Sequence, residues 1–221
     1  MKKILVTGTS SGLGYQIAET LTKKYNIVGL SRSIGKAKNI NKKKFKFINL
    51  DLSNFKEFEK LDKIKDIDCL INNSAIFSLK NFESISQDEI IKTININMIG
   101  TILLTKKILK NNKKLKKIIN ILSVSGLNGI KNQTIYSATK HGLKGFFDSL
   151  SQEKINQISI YNIFPGGMKT DLWKNIRKVN KKKILKFLNV SEISKLIEFL
   201  LTQKNSTIYK NITVFPNNDW H

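Results

Sequence analysis

The 221 residues carry 39 Lys+Arg against 16 Asp+Glu, a formal charge of +23, with 40% hydrophobic residues, one cysteine and two prolines. That is enough apolar material for the core of one domain spanning 1–221, and it excludes a disulfide-stapled secreted scaffold and an intrinsically disordered chain. No run approaches the roughly 18 apolar residues of a membrane span, and the start MKKILVTGTS holds an apolar run far too short for a signal peptide.

Such a charge concentrates polyanions around a protein. Yet only Arg32 and Arg177 are arginine, and the lysines come with an excess of isoleucine and asparagine along the whole chain. AT-rich coding favours those three residues, so the charge reads as compositional background. The lysine clusters at 42–44, 113–117 and 181–183 read as solvated loops. No nucleic-acid or membrane partner is expected. Cys69, inside the apolar run IDCLIN, reads as a small buried hydrophobe of a reducing, cytoplasmic compartment, and no metal site is expected.

In chain order, short β-branched runs alternate with longer segments of helical period, the pattern of βαβ units on a parallel sheet. The strand candidates are KKILVT, NIVGLS, FKFINL, IDCLIN, KKIINILS, ISIYNIF and NITVF, and the helical ones lie at about 13–24, 54–64, 87–110, 134–154 and 191–203. The strands are apolar almost throughout, so both faces should be covered by helices. The expected fold class is therefore α/β, a single Rossmann-type doubly wound parallel sheet of about seven strands.

After the first strand comes TGTSSGLG, in which Gly8, Ser10, Ser11, Gly12, Leu13 and Gly14 form a turn leading into a helix. Exposed backbone N–H groups and the positive helix end make such a turn an anion site suited to a pyrophosphate. The second strand ends in Ser31-Arg32-Ser33, without the acid that a dinucleotide fold sets on the ribose 2′-hydroxyl of NAD. Arg32 can instead grip a 2′-phosphate with its planar fork, so NADP(H) is expected in preference to NAD(H). Farther along, Tyr136 and Lys140 are four apart in a helical segment and share one face. A phenol of ordinary pKa, about 10, must drop by about 2–3 for acid–base work near neutrality, and a neighbouring cation is the physical means.

Together these stretches resemble the short-chain dehydrogenase/reductase family: TGTSSGLG, Asp51-Leu52 after the third strand, INNSA at 71–75, Asn97 in INMIG, SVSG followed by YSATK, and FPGGMKT at 164–170. The resemblance spans about residues 4–170. It departs from the family at Ser74 and Ala75, where Ala and Gly are usual. It implies that Asp51 and Leu52 meet the adenine, that Asn73, Ser74, Pro165, Gly166 and Thr170 also line the cofactor, and that Lys140 holds the nicotinamide ribose. It further implies that Ser123 orients a substrate carbonyl, with Ser125 the second choice, that Tyr136 is the general acid/base, and that Asn97 holds a water of a proton relay. The implied activity is hydride transfer between NADP(H) and a carbonyl or secondary alcohol of a small molecule. Ile76, Leu127, Met168 and Trp173 are the apolar candidates for the substrate pocket, with Phe77, Ile130 and Leu172 beside them. The segment 171–190 is short for a lid, Trp220 reads either as closing a neighbouring subunit's site or, slightly favoured, as anchoring the tail, and a homodimer or homotetramer is implied. A non-catalytic nucleotide-binding regulator on the same fold, or a basic nucleic-acid binder, are the competing readings. The second requires lysines clustered on one face.

Overall fold

The computed structural model describes residues 1–170, 184–204 and 206–217. Leu172, Trp173, the lysines at 181–183 and Trp220 lie outside the described residues. Seven strands form one sheet: β1 (Lys3–Thr7), β2 (Asn26–Ser31), β3 (Phe45–Asn49), β4 (Cys69–Asn72), β5 (Lys117–Ile121), β6 (Ser159–Pro165) and β7 (Asn211–Val214). Their order is β3-β2-β1-β4-β5-β6-β7, and every pairing is parallel. The order reverses between β1 and β4, and an open α/β sheet binds its ligand outside the carboxyl ends of the strands at that switch point.

Residue alternation along the buried strands feeds two cores. On one face Ile4, Val6, Ile71, Ile119 and Ile163 meet α1 (Gly12–Leu21) and α5 (Val190–Thr202) through Ile17, Leu21, Ile193 and Ile197. On the other face Leu5, Leu70, Ile118 and Ile160 meet α3 (Gly100–Asn111) and α4 (Thr134–Glu153) through Leu104, Ile108, Leu143 and Phe147. The five inner strands are buried along most of their length, whereas the edge strands β3 and β7 are partly open to solvent.

Two expected helices come out differently. Residues Phe55–Lys63 form 3₁₀ turns, because the apolar pair Phe58 and Leu61 is three apart and reaches the core on a three-residue repeat. The long helix at 87–110 is interrupted. Its first part, α2 (Gln87–Ile94), opens with a capping box between Ser86 and Glu89, and a π-type turn, Asn95–Ile99, separates it from α3. At Gly100 an added Cβ would come within 2.3 Å of the Leu52 carbonyl oxygen, so the helix can approach that loop only without a side chain.

Two buried polar arrangements tie the layers together. Asn72, Asn120, Asn162 and Asn211 stand in register on β4 to β7. Asn72 Nδ2 donates to Asn120 Oδ1 (2.9 Å), Asn120 Nδ2 to Asn162 Oδ1 (2.9 Å) and Asn162 Nδ2 to Asn211 Oδ1 (3.3 Å). At the start of β5, Lys117 is 5% exposed and its Nζ donates to the carbonyls of Leu200 (2.8 Å) and Leu201 (3.3 Å), capping the carboxyl end of α5.

Candidate active site

A crevice of ≈ 860 Å³ opens at the switch point, running from the glycine turn past Arg32 and Asp51 to Tyr136, Lys140, Met168 and Thr170. Gly8 (φ 77°) and Gly12 (φ 55°) take left-handed backbone conformations that favour glycine. At Gly14 an added Cβ would sit 2.1 Å from the Gly8 carbonyl oxygen, so the first turn of α1 closes on the strand end only with glycine there. No Ser11 side-chain bond caps α1, and its first turn holds no acid. Its amino-terminal N–H groups therefore face the crevice with positive potential.

Thr7 locks this turn to the end of β4. Its Oγ1 accepts from the backbone N–H groups of Asn73 and Ser74, both at 2.9 Å, and its carbonyl accepts from Asn73 Nδ2 at 2.9 Å. Ser74 Oγ stands 3.0 Å from where a Gly8 Cβ would be, so the serine fits where the resemblance leads one to expect alanine. Thr170 lies against Gly12, at 3.6 Å from the same ideal position there. Thus residues far apart in sequence, Gly8, Ser10–Gly14, Asn73, Ser74 and Thr170, line one crevice.

Arg32 is exposed on the crevice wall. Beside it, burial works against the Asp51 carboxylate, but hydrogen bonds from the Ser53 N–H (2.8 Å) and hydroxyl (2.7 Å), with the positive charges of Arg32 and Lys92, hold its pKa below the ordinary carboxylate range. The wall at this end thus carries both the Arg32 guanidinium and a carboxylate held in place by Ser53.

At the other end, Lys140 is 2% exposed and its Nζ lies 5.5 Å from the centroid of the Tyr136 ring while donating to the Ile121 carbonyl at 3.0 Å. Burial lowers the Lys140 pKa to about 8. Burial pushes Tyr136 up to about 12, against a hydrogen bond with Ser123 that pulls it down. The lowering expected from a neighbouring cation is therefore not what this geometry produces: desolvation of the phenolate outweighs the Ser123 hydrogen bond.

Ser123 caps a short 3₁₀ turn, Val124–Gly126. It donates to Ser125 Oγ at 3.2 Å, and Ser125, itself 2% exposed, donates to Gln133 Oε1 at 2.7 Å. Ser123 is thus the serine that meets Tyr136, and Ser125 stands behind it. Gln133 went unnoticed in the sequence because its signal, a polar residue three before Tyr136, gains meaning only once the loop folds back. Phe77 packs edge-on against Tyr136, with ring centroids 4.9 Å apart.

Asn97 sits in the π-type turn, and its side chain does not point to open water. Oδ1 accepts from the Ile76 N–H at 2.8 Å and Nδ2 donates to the Ile76 carbonyl at 2.9 Å and to Thr139 Oγ1 at 3.4 Å. The amide pins the loop after β4, which carries Ile76 and Phe77 onto the crevice wall. Met168 also lines the crevice, and its backbone bridges to Leu188. Leu127 is placed at the surface, 36% exposed and off the crevice wall, because the Val124–Gly126 turn points it outward. Trp173 lies outside the described residues.

A family model described as short chain dehydrogenase matches residues 2–181. A 3-oxoacyl-[acyl-carrier-protein] reductase of Buchnera aphidicola subsp. Schizaphis graminum is 35% identical over 228 residues, covering 94% of this chain and 92% of that protein. A benzil reductase of Bacillus cereus is 28% identical, covering 89% of each. Among solved structures, an alcohol dehydrogenase from Thermococcus sibiricus, in complex with 5-hydroxy-NADP, superposes with a TM-score of 0.89 at 20% identity, over 100% of this chain and 99% of that one. That likeness carries the fold.

Proposed function

Given that the chain belongs to the short-chain dehydrogenase family and is an oxidoreductase of that family, we propose that it is an NADP(H)-dependent reductase of small carbonyl compounds with Tyr136 as its general acid. One observation carries this reading: Tyr136 and Lys140 open onto the same crevice as the acid-free amino terminus of α1. The residues present fit a dinucleotide, since Gly8, Gly12 and Gly14 let the turn close tightly against β4 and Thr170, and the crevice that it lines continues to Tyr136. Gly8, Ser10, Ser11, Gly12, Leu13 and Gly14 would hold the pyrophosphate, Arg32 the 2′-phosphate, Asp51 and Leu52 the adenine side, and Asn73, Ser74, Pro165, Gly166 and Thr170 the nicotinamide side.

When bound, NADPH supplies the hydride. Ser123 donates a hydrogen bond to the carbonyl oxygen and orients it. Tyr136 gives its phenolic proton to that oxygen as the carbonyl carbon is reduced to the alcohol carbon. Lys140 stabilises the phenolate left behind, and a proton from water restores the phenol. A Tyr136 pKa of about 12 keeps the donor protonated throughout the neutral range, which suits reduction. Asn97 holds the wall of the substrate compartment through Ile76, and a relay water at Asn97 rests on the family resemblance.

The relatives named as 3-oxoacyl-[acyl-carrier-protein] reductases support a 3-oxoacyl substrate ahead of a diketone. The buried, free Cys69 supports a cytoplasmic setting, and the family supports a homodimer or homotetramer built from one domain per chain.

The test is NADPH and NADH consumption across aldehydes, ketones, diketones and 3-oxoacyl thioesters. Wild type is expected to turn over with NADPH, and Tyr136→Phe to lower kcat by about 10²–10⁴-fold while leaving NADPH affinity within about twofold. Absence of turnover over the whole panel, with Tyr136→Phe indistinguishable from wild type in cofactor binding, would leave the regulatory reading in its place.

A further inference from the structure

In a parallel sheet all strands start at one edge, and the lysines of this chain are not spread evenly about that edge. A second cleft, of ≈ 250 Å³, lies there between the starts of β1, β2 and β3 and the segment leading into β4. Lys42, Lys43, Lys44 and Lys46 line it from the β3 side, Lys63 and Lys65 from the β4 side, and Lys3 from β1. Hydrogen bonds between neighbouring strand starts extend the row. The Ile27 N–H donates to the Lys44 carbonyl (2.8 Å), the Asn26 N–H to that of Lys2 (3.1 Å), and the Asp68 N–H to that of Lys3 (2.9 Å). The Lys116 N–H in turn donates to the Asp68 carbonyl (3.0 Å). Successive positions are about one strand spacing, roughly 4.8 Å, apart.

Among the described residues none of the seven cleft lysines is ion-paired with a carboxylate. The nearby acids are already engaged: Asp66 pairs with Lys114 (2.9 Å), and Asp68 Oδ2 accepts from the backbone N–H of Lys3 (2.7 Å). Two ammonium groups are turned onto the protein, Lys3 Nζ to the Lys65 carbonyl (2.8 Å) and Lys44 Nζ to the Lys23 carbonyl (3.2 Å). Lys42, Lys43, Lys46, Lys63 and Lys65 are exposed around them. Holding this many like charges together unpaired favours a multivalent anion as their neutralising partner.

We propose that this edge binds the phosphate backbone of a nucleic acid, at a site separate from the cofactor crevice at the opposite, carboxyl edge of the sheet. A row of lysines matches phosphate oxygens as point charges. The cleft's apolar residues, Ile27, Val28, Phe45 and Ile64, are all buried. The site therefore lacks the exposed apolar anchor on which protein partners centre their binding. Binding is sequence-independent and salt-dependent, because its energy comes from released counterions.

The test measures fluorescence anisotropy of a labelled oligothymidylate of about 20 nucleotides against salt between about 0.05 and 0.2 M. A quadruple variant of the cleft, K42Q/K43Q/K63Q/K65Q, is compared with a control of equal charge change, K56Q/K106Q/K131Q/K195Q, whose lysines are exposed and do not line the cleft. The cleft variant is expected to bind at least about tenfold more weakly at about 0.1 M salt and to flatten the logarithmic salt slope by about 3, since each phosphate that is no longer neutralised lowers the slope by about 0.7. The control should bind less than about threefold more weakly, and saturating NADPH should leave the bound oligonucleotide in place. Equal weakening in the two variants would reduce the effect to net charge and overturn the site. So would an unchanged slope, displacement by NADPH, or tighter binding to anionic lipid vesicles than to the oligonucleotide.

Discussion

At the residue scale, the chemistry proposed for this chain turns on how burial divides two groups. Tyr136 and Lys140 lie in the same dry corner, and desolvation moves their pKa values in opposite directions, the phenol up to about 12 and the ammonium down to about 8. Between those values the phenol keeps its proton while the lysine has lost its own. The activity requiring a positive Lys140 is therefore full below about pH 8 and falls above it. A pH profile of kcat/KM for reduction is expected to be flat from about pH 6 to 7.5 with a basic limb near 8; a limb at the ordinary lysine range would show that Lys140 is not the titrating group. At the far end of the crevice, Arg32→Asp is expected to weaken NADPH about 10–150-fold, the worth of a charge-assisted phosphate contact, while improving NADH. Unchanged Kd values for both cofactors by titration calorimetry would remove Arg32 from the 2′-phosphate site. Both Arg32 and the Tyr136–Lys140 pair were legible in the sequence, because one stood out by type and the other by spacing. The direction of the Tyr136 pKa was not, since burial is a property of the folded loop, and neither was Gln133, whose partner Ser125 is eight residues away.

At the scale of elements, all seven strands were legible, their apolar runs being bounded by turns and glycines, and the helices at their ends less so. The 87–110 segment reads as one helical period because side-chain pattern is blind to a single widened turn. Only the Asn97 side chain, drawn out to clamp Ile76 on both its N–H and carbonyl, marks where the turn widens. The asparagine ladder was equally invisible, since one amide per strand looks like noise until the register aligns four. Asn120 is the middle of that ladder, accepting from Asn72 and donating to Asn162. Asn120→Leu is expected to leave the Asn162 oxygen without its donor and Asn72 with one partner fewer in a dry core. The expected cost is about 2–4 kcal/mol of unfolding free energy by urea denaturation. A loss below about 0.5 kcal/mol, the scatter of surface substitutions, would mean the ladder is not cooperative.

At the scale of the whole molecule, the parallel sheet gives the protein two unlike ends. Strand ends carry the glycine turn, Asn73, Ser123 and Thr170 to one edge, while strand starts carry unpaired lysines to the other. A charge that looked uniform along the sequence acquires a direction when every strand points the same way. The ladder has a consequence for how that arrangement is reached. The positions next to its rungs are apolar on β5 and β6: Ile119 and Ile121 flank Asn120, and Tyr161 and Ile163 flank Asn162. Sliding either strand by one residue would set an amide opposite a hydrocarbon and strand hydrogen-bonding groups on both neighbours. Each stranded group costs about 1–3 kcal/mol. A chain that collapsed out of step would therefore be much less stable than the native one and free to separate and pair again. The four asparagines thus favour one alignment of the strands, and with it the placing of the strand ends that carry the crevice.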